Sequence, residues 1–110
     1  MTQRSIETRE KILIQYLLSL VPEKSQVYTL PDKVTDLDDG GMGSIGLVLD
    51  KQSKYGGDLI QVKYLNEDDV LVIITLIHDE LNRLFELEMW KVDFSALKRY
   101  PTPAQLIIEV

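Results

Sequence analysis

Apolar residues recur at helical spacing through Ile6, Leu13, Leu17 and Leu20, and Ile14, Leu18 and Val21 widen the stripe, which predicts one long helix over residues 5–21. Ser5 is the expected cap, Glu7 and Glu10 lie near the positive end of the helix dipole, and Pro22 is the expected stop. Arg4, Arg9 and Lys11 read as solvated surface. After a polar bridge, residues 26–30 read as a short extended piece ended by Pro31 and Asp32.

From Ile45 the period changes. Ile45, Leu47 and Leu49 alternate with Gly46, Val48 and Asp50, the pattern of a strand with one face buried, and residues 51–58, with Gly56 and Gly57, read as the turn that follows. Three more strands are predicted over residues 59–65, 70–78 and 83–93, joined as hairpins by the polar links 66–69 and 79–82. The simplest arrangement is an up-and-down meander. Its middle strand carries Val70, Val72, Ile74 and Leu76 on one face and Leu71, Ile73 and Ile77 on the other, so both faces want cover.

One helix covers only one of those faces. The second layer could come from the C-terminal segment, from residues 30–37, or from another copy of the chain in a homodimer. Residues 95–98 read as a helical turn broken by Tyr100-Pro-Thr-Pro103. Residues 106–110 suit a last strand, while Thr102 and Pro103 suit the start of a short helix. The expectation is a single α+β domain over residues 1–110, with an N-terminal helix packed on a mainly antiparallel sheet of four or five strands.

Composition narrows the partners. At 110 residues the chain suits one small domain, and its hydrophobic and charged fractions, 45% and 27%, are those of an ordinary globular protein. A net charge of -6 repels phosphate backbones and anionic lipid, so nucleic acid and membranes are not expected partners. The same charge suits a basic protein partner, or solubility alone. The absence of cysteine removes disulfides, thiolate nucleophiles and sulfur-ligated zinc. With no signal-peptide pattern and no apolar run of membrane-spanning length, a cytoplasmic location is the default expectation.

The segment Asp36-Leu-Asp-Asp-Gly-Gly-Met-Gly-Ser44 sets three carboxylates before three glycines. An EF-hand is excluded, because Gly40 stands at a liganding position and Leu47 where the bidentate carboxylate belongs. A phosphate loop lacks its Lys and its following helix. A tight turn or bulge at the entrance to the sheet explains the glycines more simply. His78 is the only histidine, and the serines sit in no nucleophile-elbow context. Glu86 and Glu88 share one face of a strand, which could pair carboxylates but also describes a wet face. Trp90 joins that face and is the first side chain to test for binding.

In a meander the loop before Ile45 and the link after Leu65 fall at the same end of the sheet, near the exit of the last long strand. Asp36, Asp38, Asp39, Glu67, Asp68, Asp69 and Asp93 would gather there as an acidic pole, with Trp90 beside it. The functional reading is a non-enzymatic interaction module that docks a basic protein, as in neutralising a toxin or joining a regulatory complex. Its rival is that Asp merely suits turns and blunts sheet edges. The competing functional class is a small-ligand or divalent-cation binder, or an enzyme, built on the Asp/Gly-rich loop. No catalytic residue, cofactor or metal ligand is assigned.

Asp39-Gly-Gly-Met-Gly-Ser44, Leu84-Phe-Glu-Leu-Glu-Met-Trp-Lys-Val-Asp-Phe94 and Arg99-Tyr-Pro101 together resemble a small bacterial domain family without an assigned activity, over nearly the whole chain. That resemblance implies a self-contained bacterial domain and no site residue.

Overall fold

The computed structural model describes residues 3–21 and 28–108. In chain order the elements are β1 (Gln3–Ser5), α1 (Thr8–Ser19), β2 (Lys33–Asp36), β3 (Ile45–Gly46), β4 (Tyr55–Leu65), β5 (Leu71–Asp79), β6 (Leu84–Lys91), a 3-10 turn (Pro103–Gln105) and β7 (Leu106–Ile107). One antiparallel sheet of seven strands in the order β1-β2-β3-β6-β5-β4-β7 carries them. The α+β class holds, whereas the expected four or five strands undercount the sheet. Short strands at both edges, each two to four residues long, account for the difference.

The helix begins later than its apolar stripe suggests, because residues 3–5 are taken by pairing with β2: Arg4 lies opposite Val34 and Ser5 opposite Lys33. Ile6 N–H then donates to the Asp32 carbonyl, and Glu7 rather than Ser5 is the cap residue. Glu10 reaches back to accept the Glu7 N–H at 2.8 Å, satisfying one of the helix's unpaired amides. Leu13, Ile14, Leu17 and Leu18 are buried against Val62, Tyr64, Val72, Ile74, Leu76, Leu87 and Met89. Pro22 and residues 26–27 of the expected extended piece lie outside the described residues, and residues 28–30 form no strand.

β4, β5 and β6 form the predicted hairpin series, but β3 does not continue it. β3 pairs with β6, so the chain crosses from one side of the series to the other between Gly46 and Tyr55. The predicted strand over 45–50 ends at Gly46 because the chain turns off the sheet, holding on only through Leu47 N–H to the Phe85 carbonyl at 2.7 Å. β4 starts within the predicted turn, at Tyr55, and two register shifts there let it stay paired with β5. Residues 95–98 form no helical turn. At the C-terminus both expectations coexist: the 3-10 turn starts behind Thr102 and runs directly into β7, whose Leu106 lies opposite Tyr64.

Among the described residues, neither chain segment expected as a second layer covers the outer face of the sheet. Residues 33–36 join the sheet as β2 and residues 106–107 as β7, both in plane with the strands they were expected to cover. No helix among the described residues is long and apolar enough to cross a membrane.

Candidate interaction face and acidic end

Side chains alternate along a strand, so the residues between the core positions of β4, β5 and β6 share the face opposite α1. Register places Leu65 beside Leu71, Ile73 between Lys63 and Trp90, Thr75 between Gln61 and Glu88, and Ile77 beside Glu86. The middle of this face is closed by its own side chains: Gln61 Nε2 donates to Thr75 Oγ1 at 3.0 Å, and Thr75 and Ile77 are buried. Toward the end where β6 exits, the face is apolar and open. Leu65 is 50% exposed, Trp90 40% and Phe94 70%.

Trp90 and Phe94 form a tilted ring pair with centroids 6.2 Å apart. Phe94 has a φ of 63°, a conformation that costs a bulky residue free energy, and its N–H donates to the Lys91 carbonyl at 2.8 Å. The turn after β6 thus brings the second ring back beside the first.

A cleft of about 300 Å³ lies next to Trp90, lined by Leu37, Asp39, Met42, Ser44, Glu88 and Met89. The Asp/Gly-rich loop builds one wall. Gly40, Gly41 and Gly43 have φ of 76°, 82° and 100°, and the loop they allow wraps around the Asp39 carboxylate. Asp39 Oδ1 accepts the Met42 N–H at 3.1 Å and Oδ2 the Ser44 N–H at 3.0 Å. Ser44 Oγ accepts the Met89 N–H at 2.9 Å and donates to the Met89 carbonyl at 3.2 Å, serving the edge of β6 beyond the end of β3. Met42 Sδ accepts the next free amide, Lys91 N–H, at 3.2 Å. Replacing Ser44 with Ala should therefore cost about 1–3 kcal/mol in a urea melt, since two buried backbone groups lose their partner. A change within error would show that β6 does not depend on this bridge.

The sheet's parity brings the predicted acids to one end despite the different strand order. β3 is antiparallel to β6, β6 to β5 and β5 to β4, so the loop before Ile45, the link after Leu65 and the exit of β6 coincide. Lys91 Nζ makes the connection visible, donating to Asp68 Oδ2 at 2.5 Å and to the Ala96 carbonyl at 3.0 Å, while Leu97 N–H donates to the Gly41 carbonyl.

Most of these acids have internal work. Asp36, at the end of β2, accepts from Arg4 Nε at 3.0 Å and Nη2 at 2.8 Å, and the Arg4 guanidinium holds its carboxyl below the usual range. Asp39 holds the glycine loop. Asp68 is paired with the fully buried Lys91, whose ammonium lowers its carboxyl pKa. Glu67 lies 3.2 Å from Arg99, and Asp93 accepts the Ser95 hydroxyl at 2.6 Å, which lowers its pKa. Asp38 and Asp69 are exposed and make no ion pair among the described residues. The end is acidic but much less bare than the sequence suggests.

On the open face, Glu86 and Glu88 make no hydrogen bond or ion pair among the described residues, and burial followed by the charge of Glu88 pushes the Glu86 carboxyl up. Together with Asp38 and Asp69, these two acids have no ion-pair partner among the described residues.

Arg4, Lys91 and Phe94 escape the sequence reading. Arg4, expected as solvated surface, spends all five N–H groups on Glu10, Asp36 and the Ser5 carbonyl, tying α1 to the β1–β2 edge. Lys91 could have been found: it shares parity with Leu87 and Met89, so the strand pattern already places it on the core side. No group of three or more His, Asp or Glu side chains among the described residues could hold a metal ion. His78, the single histidine of the sequence, is half-buried near the end of β5 with Nδ1 2.8 Å from the Asp79 carbonyl.

A family model described as a domain of unknown function, DUF6984, matches residues 3–101. No curated protein and no solved structure matches the chain.

Proposed function

The chain belongs to the DUF6984 family of domains of unknown function, and we propose that it is a non-enzymatic protein-interaction module that docks a basic partner on the open face of its sheet. The supporting observation is the Trp90–Phe94 ring pair, exposed on the sheet face that also carries the exposed Leu65 and that no second layer covers among the described residues. Exposed aromatic anchors near the centre of an apolar patch are the usual carriers of binding energy. Glu88 lines the cleft beside Trp90 and Asp93 precedes Phe94, with Asp69 and Asp38 at the same end and Glu86 further along the same face, and this rim favours a partner of positive charge.

The weight of the site lies nearer Trp90 than the predicted pole. Asp36, Asp39 and Asp68 hold the frame, while Asp38, Asp69, Asp93 and the two glutamates steer. Glu67 belongs to neither group, being neutralised by Arg99. A role for the Asp/Gly-rich loop as a divalent-cation site has less support, because no group of three or more His, Asp or Glu side chains among the described residues could hold a metal ion.

Capture of a partner from an extract of the native host, repeated from about 50 to 500 mM salt, tests the proposal. A specifically retained basic protein should be lost steeply as screening shortens the reach of the rim. Retention indifferent to salt would contradict the electrostatic part. Sedimentation of the purified chain supplies the other arm: a salt-insensitive dimer abolished by Trp90→Ala would assign the face to a second copy instead.

A further inference from the structure

We infer that the cleft between Trp90 and the glycine loop seats one basic side chain of the partner, arginine foremost, with its stem along Leu37 and Met42 and its guanidinium at Glu88 and Asp39. The inference rests on the docking proposal above and adds the chemistry of the central contact. About 300 Å³ is small for a cofactor and ample for one long side chain.

The walls decide which side chain. Leu37, Met42 and Met89 offer apolar surface, Trp90 an aromatic ring, and Glu88 and Asp39 carboxylate oxygen in the same cleft. An apolar side chain would strip water from Glu88, which makes no hydrogen bond or ion pair among the described residues, and return nothing for it. An acidic one would meet Glu88, Asp39 and the neighbouring Glu86. A cationic side chain satisfies both halves, because its methylenes cover apolar surface while its head reaches the acids.

Arginine fits better than lysine. Its planar guanidinium stacks on an aromatic face and presents a fork of donors to a carboxylate, and Glu88 has both oxygens available for such a pair. Asp39 keeps acceptor capacity beyond the Met42 and Ser44 amides, since each carboxylate oxygen carries two lone pairs.

Trp90 is the only tryptophan of the chain, so its fluorescence reports the cleft directly. Titration with N-acetylarginine amide should give a saturable change with a midpoint on the order of millimolar, as expected of so small a ligand. N-acetylcitrulline amide, of the same shape without the charge, should bind about tenfold more weakly. Glu88→Gln should weaken the arginine probe about fivefold and leave the melting temperature unchanged. Equal responses to both probes, or an arginine response untouched by Glu88→Gln, would overturn the inference. Absence of an arginine preference together with partner capture lost in Trp90→Ala would sink this contact alone and leave the docking proposal standing.

Discussion

Asp79→Ala is expected to destabilise the fold by about 2–3 kcal/mol, the cost of unpairing several buried donors from one charged acceptor. Asp79 closes β5 at the turn into β6. Its carboxylate accepts Leu81 N–H at 2.9 Å, Arg83 N–H and Nε–H at 2.8 Å each, and the Ser53 hydroxyl at 2.7 Å. Removing it leaves turn amides without a partner and the Arg83 charge with only Asp50, 3.8 Å away. The same corner has no slack: a Cβ on Gly56 would sit 2.3 Å from the Asp79 carbonyl oxygen, so β4 cannot slide in to fill the gap.

The pH dependence follows from the same carboxylate. Burial pushes its pKa up, but the Arg83 and Leu81 amides, the Ser53 hydroxyl and the Arg83 guanidinium outweigh burial and leave it below the ordinary 3.8. A depressed folded pKa means that the stabilisation is fully present above the unfolded value and is lost as pH falls through the folded one. Urea melts from pH 7 to pH 2 should show wild type losing stability below about pH 4, with the Asp79→Ala difference shrinking over that range. A difference constant with pH would assign the effect to packing instead.

Replacing Trp90 and Phe94 together with Ala should weaken partner binding by at least about 2 kcal/mol, roughly 30-fold in Kd, the scale of an aromatic hot spot. The fold should notice far less, because Phe94 is 70% exposed and Trp90 lies outside the α1-facing core. A loss near 1 kcal/mol from Trp90's contact with the sheet is the expected upper end. Isothermal titration and a thermal melt on the same variant separate the two effects. Unchanged affinity would remove the ring pair from the interface, whereas an unfolded variant would show that the rings belong to the core.

The hairpin series β4–β5–β6 was legible because strict alternation over long runs leaves little choice of period or face. The short edge strands were not. Gln3–Ser5 and Leu106–Ile107 offer only three and two residues of pattern, and their pairing is set by where β2 and β4 leave an edge free. The position of β3 beside β6 is a tertiary choice that local periodicity does not encode. The common end of the acidic loops survived this error because antiparallel pairing conserves parity whichever neighbour a strand takes.

Charge was the least legible property. Acids were visible in the sequence, but their partners Arg4 and Lys91 are distant along the chain, Asp36 lying 32 residues from Arg4 and Asp68 lying 23 from Lys91. Composition counts such carboxylates as free, and folding neutralises them. Alternation alone already put Glu86, Glu88 and Trp90 on one face; register added that this face is the one opposite α1, beside Thr75 and Ile73, and the turn after β6 added the second ring, Phe94.

The most direct measurement places a photo-reactive phenylalanine at position 94 and, in a second preparation, at Ile12 on the exposed side of α1, with irradiation in extract of the native host. Docking on the open face predicts a discrete adduct with a basic protein from position 94, suppressed by high salt and absent from position 12. Adducts of the same identity from both positions, or an adduct at position 12 alone, would contradict it.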